Sequence, residues 1–423
     1  MSSFGYRDGV LHAEEVDLRD VASQVGTPVY LYASAGFEEQ YLAFARVFAD
    51  VPSLVCYAMK ANSNQAVLAT LARLGAGMDV VSEGELRRAR AVGVSPEKIV
   101  FSGVGKTQGE IAYALDQDIL CFNVESEPEL EQLSALASAR GRVARISIRV
   151  NPDIDANTHA KISTGTYANK FGIPITEAPR VYARAAKLPG LSVTGVDMHI
   201  GSQIIDLAPF DAAAERLASL AVHLMGQGHR LEHLDFGGGL GVIYDPHSNL
   251  RPPEPNAYAR TILRHTQKLG LKLVFEHGRL IAANAGVLLT RVIHVKQGAG
   301  KSFVIVDAAM NDLIRPTLYE AYHDVVNVIE PAPRAARQTV DIVGPVCESG
   351  DYLAQKRTMP LPRSGDLLAV MSAGAYGAVQ ASTYNSRLLV PEVLVKGERF
   401  AVVRPRSSYD DLIGLDRLPE WLS

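Results

Sequence analysis

The chain has 423 residues, 47% apolar and 21% charged, with a formal net charge of −4. That length exceeds one ordinary core and implies two domains, and the small net charge gives no reason to expect nucleic acid or a membrane as partner. Three widely spaced cysteines, Cys56, Cys121 and Cys347, fit neither a disulfide framework nor a metal cluster. With no signal-like start and no apolar run near the roughly 20 residues of a membrane span, a reducing cytoplasm is expected.

Residues 1–32 hold short β-like pieces, among them Pro28 to Tyr32. A helix should begin near Ser34, a suitable N-cap, and bury Phe37, Tyr41, Phe44, Ala45 and Phe48 on one stripe. Strand and helix patterns then alternate. Strands are expected at 54–59, 78–81, 99–101, 119–122, 143–150, 191–199, 231–236 and 271–275. Ser82 with Glu85, Thr107 with Glu110 and Ser126 with Glu129 read as capping boxes opening the helices between them. Eight such units over about 250 residues match a TIM-like (β/α)8 barrel. A doubly wound open sheet stays possible, because alternation alone does not show closure.

After residue 280 the pattern changes. Val287 to Val295 and Phe303 to Val306 read as a hairpin with a glycine-rich connection, Gln297 to Lys301. Extended segments follow at 339–346, 367–371, 388–395 and 400–404, with a surface loop at 330–338. The expected organisation is an α/β barrel at 33–280, and a mainly antiparallel β domain made of 1–32 plus 281–423.

Barrel active sites lie at the carboxyl ends of the strands. Strand one ends at Lys60, where burial could strip the ammonium of water and free the amine as a nucleophile. Strand two carries Asp79. Strand six ends in His199 to Gln203, strand seven in Asp235 to Gly241, and strand eight in Glu276 to Arg279. Gly237 to Gly239 is either a flexible turn or an N–H cradle for phosphate. His199 is either a core histidine or a ring-stacking group, and Glu276 with Arg279 either a structural ion pair or separate ligands. Jointly, an amine, a phosphate cradle, a flat ring and a carboxylate describe a pyridoxal phosphate site.

Tyr57-Ala58-Met59-Lys60-Ala61-Asn62, His199-Ile200-Gly201-Ser202-Gln203, Gly237-Gly238-Gly239 and Glu276-His277-Gly278-Arg279 resemble, in order, the motifs of the alanine-racemase-like, fold type III pyridoxal-phosphate-dependent amino-acid decarboxylases. Asn311 to Tyr319, Gly344 to Asp351 and Gly374 to Gly377 extend the resemblance over essentially the whole chain. It implies a C-terminal β-barrel or sandwich beside the TIM-like barrel, pyridoxal 5'-phosphate as cofactor and no metal. It also implies a homodimer with shared active sites. Lys60 would bind the cofactor's aldehyde, His199 stack on its ring and Glu276 meet its pyridine nitrogen, with Asp79 and Ser202 also at the cofactor. Gly237, Gly238, Gly239, Gly278, Arg279 and Tyr376 would hold the phosphate.

The implied reaction is decarboxylation of meso-2,6-diaminopimelate to L-lysine and carbon dioxide, the last step of lysine biosynthesis. Arg279, Arg315, Tyr319 and Tyr376 would bind the substrate, with Glu348 on its distal ammonium. Cys347, from the partner chain, would deliver the proton. Two arginines suit a distal carboxylate because the guanidinium is planar and permanently charged. Ornithine, arginine, carboxynorspermidine or a carrier-linked amino acid are the alternative substrates, and a non-catalytic regulatory homologue is the alternative role. Two positions depart from the family: His277 stands where proline is usual, and Ala309 where glycine is.

Overall fold

The computed structural model describes residues 3–155, 165, 170–298 and 301–422. Ala299 and Gly300 of the expected hairpin connection, and part of the polar loop after the fifth barrel strand, lie outside them. The chain divides into two compact units. One is Glu38–Ile243 with Asn249–Ile281; the other is Met1–Phe37 with Tyr244–Ser248 and Ala282–Ser423.

The first unit carries eight parallel strands: Ser53–Ala58, Gly77–Val80, Ile99–Phe101, Cys121–Val124, Ala144–Asn151, Leu191–Asp197, His233–Asp235 and Lys272–Phe275. Each pairs with its successor, and Leu273 of the eighth pairs with Ser53 of the first. The ring also passes from the fourth to the fifth strand at Phe122 and Ile146. Closure excludes the open sheet. A short extra strand, Ile173–Pro174, adds parallel to the end of the fifth.

Side-chain caps set where the helices begin. Asn64 accepts from Ala66 N–H to open Gln65–Arg73, satisfying a donor that has no partner within the helix. Thr107 and Glu110 form the complete reciprocal box. The other two expected boxes are only half made. Ser82 accepts from Glu85 N–H, but the Glu85 carboxylate accepts from Val81 instead. Ser126 accepts from Glu129 N–H, while the Glu129 carboxylate takes Glu125 N–H and the buried ammonium of Lys106. Phe44, Phe48 and Tyr258 of the surrounding helices and loops pack ring against ring with one another and with Phe275 of the eighth strand.

The second unit is built on a nine-stranded, mainly antiparallel sheet. Gly286–Gln297 is its longest strand, pairing antiparallel with Ser302–Val306, Leu367–Val370 and Val29–Ala33. Two pairings are parallel: Ser302–Val306 with Arg337–Val343, and Glu392–Lys396 with Val29–Ala33. Of the N-terminal pieces only Val29–Ala33 joins this sheet. Phe4–Arg7, Val10–Ala13 and Val16–Asp17 make a separate three-stranded sheet. No described helix is long and apolar enough to cross a membrane.

Candidate active site

A single 3-10 turn, Met59–Ala61, follows barrel strand one and carries Lys60. Lys60 Nζ donates to Asp79 Oδ2 at 3.1 Å; the Asp79 side chain is fully buried and that of Lys60 is 39% exposed. This corrects the expectation of an amine stripped of water by burial. A buried carboxylate balances the ammonium, and the side chain stays partly open.

Glu276 directly follows strand eight and is buried. Its Oε1 accepts from Asn123 Nδ2 at 3.0 Å and Ser102 Oγ at 3.2 Å. Burial, then the neighbouring Asp235, Asp79 and Asp197, push its carboxyl well above the usual range, with Lys60 pulling the other way. It is therefore held by neutral donors, while Arg279 donates to Ser202 Oγ through Nε at 3.1 Å and Nη2 at 3.0 Å.

His199 Nδ1 accepts from Gly238 N–H at 3.1 Å, so the neutral ring carries its proton on Nε2. Desolvation by the surrounding protein, then Arg149 and Lys60, hold the imidazole well below its ordinary pKa, and it is neutral at physiological pH. Gly237 at φ +60° and Gly239 at +113° occupy backbone that glycine favours. A Cβ at Gly237 would lie 2.6 Å from His199 Nδ1, and one at Gly238 2.4 Å from the Glu276 carbonyl oxygen. The expected open phosphate cradle needs correction here. Gly237 N–H donates to Asp235 Oδ1 at 2.9 Å and Gly238 N–H to His199, so both are already engaged. The glycines let imidazole, carboxylate and turn approach closely.

The β unit holds the other expected residues. Arg315 opens the short helix Arg315–Tyr319 and is buried. Its Nη1 lies 2.7 Å from His323 Nε2, and its guanidinium lies over the Tyr244 ring, 4.6 Å from the centroid. His323 Nδ1 contacts the Met371 carbonyl at 2.8 Å. That carbonyl can only accept, so Nδ1 donates to it and Nε2 accepts from Arg315. Tyr319 Oη accepts from Gln380 at 3.4 Å. Cys347 is exposed, with its N–H on Asn385 Oδ1 at 2.9 Å, and Glu348 accepts from Tyr384 Oη at 2.8 Å. Tyr376 sits at φ +57°, a strained conformation for an aromatic residue. Ala309 lies outside the positive-φ region, so its methyl adds no backbone strain.

Residues 34–283 match the family model described as pyridoxal-dependent decarboxylase, pyridoxal binding domain. Diaminopimelate decarboxylase of Pseudomonas aeruginosa is 53% identical, covering 99% of this chain and all of that one. That of Vibrio cholerae is 51% identical with the same coverage. The chain belongs to the diaminopimelate decarboxylase family. The crystal structure of the Helicobacter pylori member in complex with L-lysine superposes with a TM-score of 0.90 at 42% identity, over 94% of this chain and 99% of that one.

The barrel residues fit the family's cofactor. They offer a partly open amine, a buried carboxylate held by neutral donors, a neutral imidazole of fixed tautomer, and glycines where any Cβ would collide. Asp197, Asp235 and Glu276 also place carboxylate oxygens within 4.8 Å of one another, close enough to hold a metal ion. Asn123, Ser102 and Gly237 nevertheless aim N–H and O–H donors at two of the three, which suits an anion or a shared proton better than a cation. Sequence reading named Asp235 at the end of strand seven without giving it a role, and missed Ser102, Asn123 and Asp197 here and Tyr244 and His323 around Arg315. The available signal was a polar residue at an otherwise apolar strand position.

Proposed function

We propose that this chain removes one carboxylate of meso-diaminopimelate as carbon dioxide and yields L-lysine, as a pyridoxal-phosphate-dependent carboxy-lyase. The observation that carries the reading is Lys60 Nζ, presented at the end of a barrel strand and held by buried Asp79, in a chain of this family. When bound, pyridoxal phosphate supplies a sink for the electron pair left by the departing carboxylate.

The protein's part is orientation and charge placement. Lys60 Nζ binds the cofactor's aldehyde, and Asp79 fixes where that amine sits. Glu276 meets the pyridine nitrogen, and His199 offers a ring face rather than a charge. Ser202, Gly239, Gly278, Arg279 and Tyr376 are assigned to the phosphate. Gly237 and Gly238 shape the turn that carries His199. Arg315, Tyr319 and Glu348 are assigned to the distal end of the substrate. Cys347 Sγ delivers the proton to the carbon that lost its carboxylate, acting in a homodimer from the neighbouring subunit. We place the enzyme in the cytoplasm.

The test supplies purified protein with pyridoxal phosphate and meso-diaminopimelate, ornithine, arginine or lysine. Carbon dioxide and the amine product are followed, with Lys60→Ala as control. Turnover of diaminopimelate alone is expected. Turnover of a different amino acid overturns the substrate, and no turnover by a cofactor-loaded protein overturns the enzymatic reading.

A further inference from the structure

Five carboxylates occupy the barrel interior around Glu276: Asp79, Glu125, Asp197, Asp235 and Glu276 itself, all buried. Two cations face them. Lys60 pairs with Asp79, and Arg149 Nη1 pairs with Glu125 Oε1 at 2.8 Å. Asp197, Asp235 and Glu276 are left without a cation in ion-pair contact among the described residues, their oxygens within 4.8 Å of one another. Three like charges so close in a buried site cannot all ionise.

The hydrogen bonds distribute the burden unevenly. Glu276 Oε1 receives two side-chain donors, from Asn123 and Ser102. Asp235 Oδ1 receives one, from Gly237 N–H, and its fully buried Oδ2 has no hydrogen-bond partner among the described residues. One proton on Asp235 Oδ2, directed at Glu276, would satisfy both groups. We infer that Asp235 is a positioning residue that keeps a proton at neutral pH and shares it with Glu276, leaving Glu276 as the single anion presented to the pyridine nitrogen. The inference rests on the assignment of Glu276 to that nitrogen.

The surroundings favour retention of a proton within this cluster, and burial, then Asp235, push Glu276 up as well. Burial, then Asp79, push Asp235 up to about 7, with the Gly237 N–H and the nearby Glu276 and Asn123 side chains opposing. Burial, then Asp235, also push Asp197 up, with Arg149 opposing. The other titratable neighbours bring no positive charge: the thiols of Cys56 and Cys121 and the Tyr258 hydroxyl are all held neutral, chiefly by burial. Because interacting carboxyls titrate as a set, the assignment to Asp235 stands on the donor pattern.

The test uses Asp235→Asn, in which Oδ1 can still accept from Gly237 and Nδ2 becomes a permanent donor toward Glu276. Asp197→Asn is the second variant. Infrared spectra of the cofactor-free proteins at neutral pH report the carbonyl stretch of a protonated buried carboxyl. Other buried carboxyls, Asp197 and Asp312 among them, are also pushed up, so the reading is taken from wild-type-minus-variant difference spectra. Asp235→Asn should remove one carboxyl band that Asp197→Asn retains; the absence of any such lost band, or its loss in Asp197→Asn as well, overturns the proposal. Titration with pyridoxal phosphate supplies the second readout. Asp235→Asn should bind within about threefold of wild type, and a loss of about tenfold or more would show that Asp235 works ionised. Failure of the wild type itself to bind would overturn the cofactor-site reading, while the infrared result would still decide where the proton sits.

Discussion

Replacing His277 with leucine should make the protein less sensitive to acid. His277 is buried among Phe44, Tyr258 and Phe275, 4.3 Å from the Phe44 ring centroid, and neither ring nitrogen has a hydrogen-bond partner among the described residues. Burial holds its pKa down at about 3, against an ordinary 6.5. The unfolded chain therefore takes up the proton first, and stability is lost as pH falls below about 6.5, levelling off near the folded value. Between pH 7 and pH 5 this amounts to about 1.5 pKa units at 1.36 kcal/mol each, or about 2 kcal/mol. His233, lowered to about 4 by burial and then Lys272, adds a loss of the same sign, but that loss is common to both proteins. Urea unfolding of wild type and His277→Leu at the two pH values isolates the difference. The variant should lose about 2 kcal/mol less on acidification, and should gain about 1–3 kcal/mol at pH 7 from removing unsatisfied polar atoms. An equal acid loss in the two proteins would refute a neutral, unpartnered imidazole at this position.

Arg315→Ala should reduce kcat/KM for diaminopimelate by about 2–5 kcal/mol of binding, about thirtyfold or more, because it also strands His323 and Tyr244; steady-state kinetics with diaminopimelate and with lysine as product inhibitor would measure it. Lys106→Met should destabilise the barrel by about 3–5 kcal/mol in urea unfolding, since the ammonium satisfies Glu129 and the carbonyls of Gly103 and Asn123. Gly195→Ala should cost about 1–3 kcal/mol in the same assay, because the new Cβ would lie 2.3 Å from His233 Nε2 inside a packed barrel.

Much of the barrel was legible because its signals are local. Strand rhythm and cap residues lie within a few positions of the bonds they make, as Thr107 and Glu110 do. Where a capping glutamate found a competing partner, the local signal misled: Glu129 serves Lys106, 23 positions away. Closure was not legible, because it depends on the pairing of Leu273 with Ser53. In the β unit the strand Tyr352–Pro360 was missed, since its middle reads Gln355-Lys356-Arg357 and Lys356 is at φ +51°. A run of charged and polar side chains argues against a strand when only the sequence is read.

The residues around Glu276 were hidden for a different reason. Ser102 and Asn123 precede it by 174 and 153 positions, and a polar residue in or just after an apolar strand does not say which distant carboxylate it serves. What distinguishes them is convergence, which only the closed barrel supplies. Barrel interiors are ordinarily filled by branched apolar side chains. Here Asp79, Arg149, Asp197 and Asp235 come from strands two, five, six and seven, and all are buried. Burying them opposes folding, and breaking any one pair would oppose it further. An interior polarised at such a cost to stability, with hydrogen bonds aimed at Glu125, Asp235 and Glu276, is better explained by selection for charge placement beneath a cofactor than by selection for the fold.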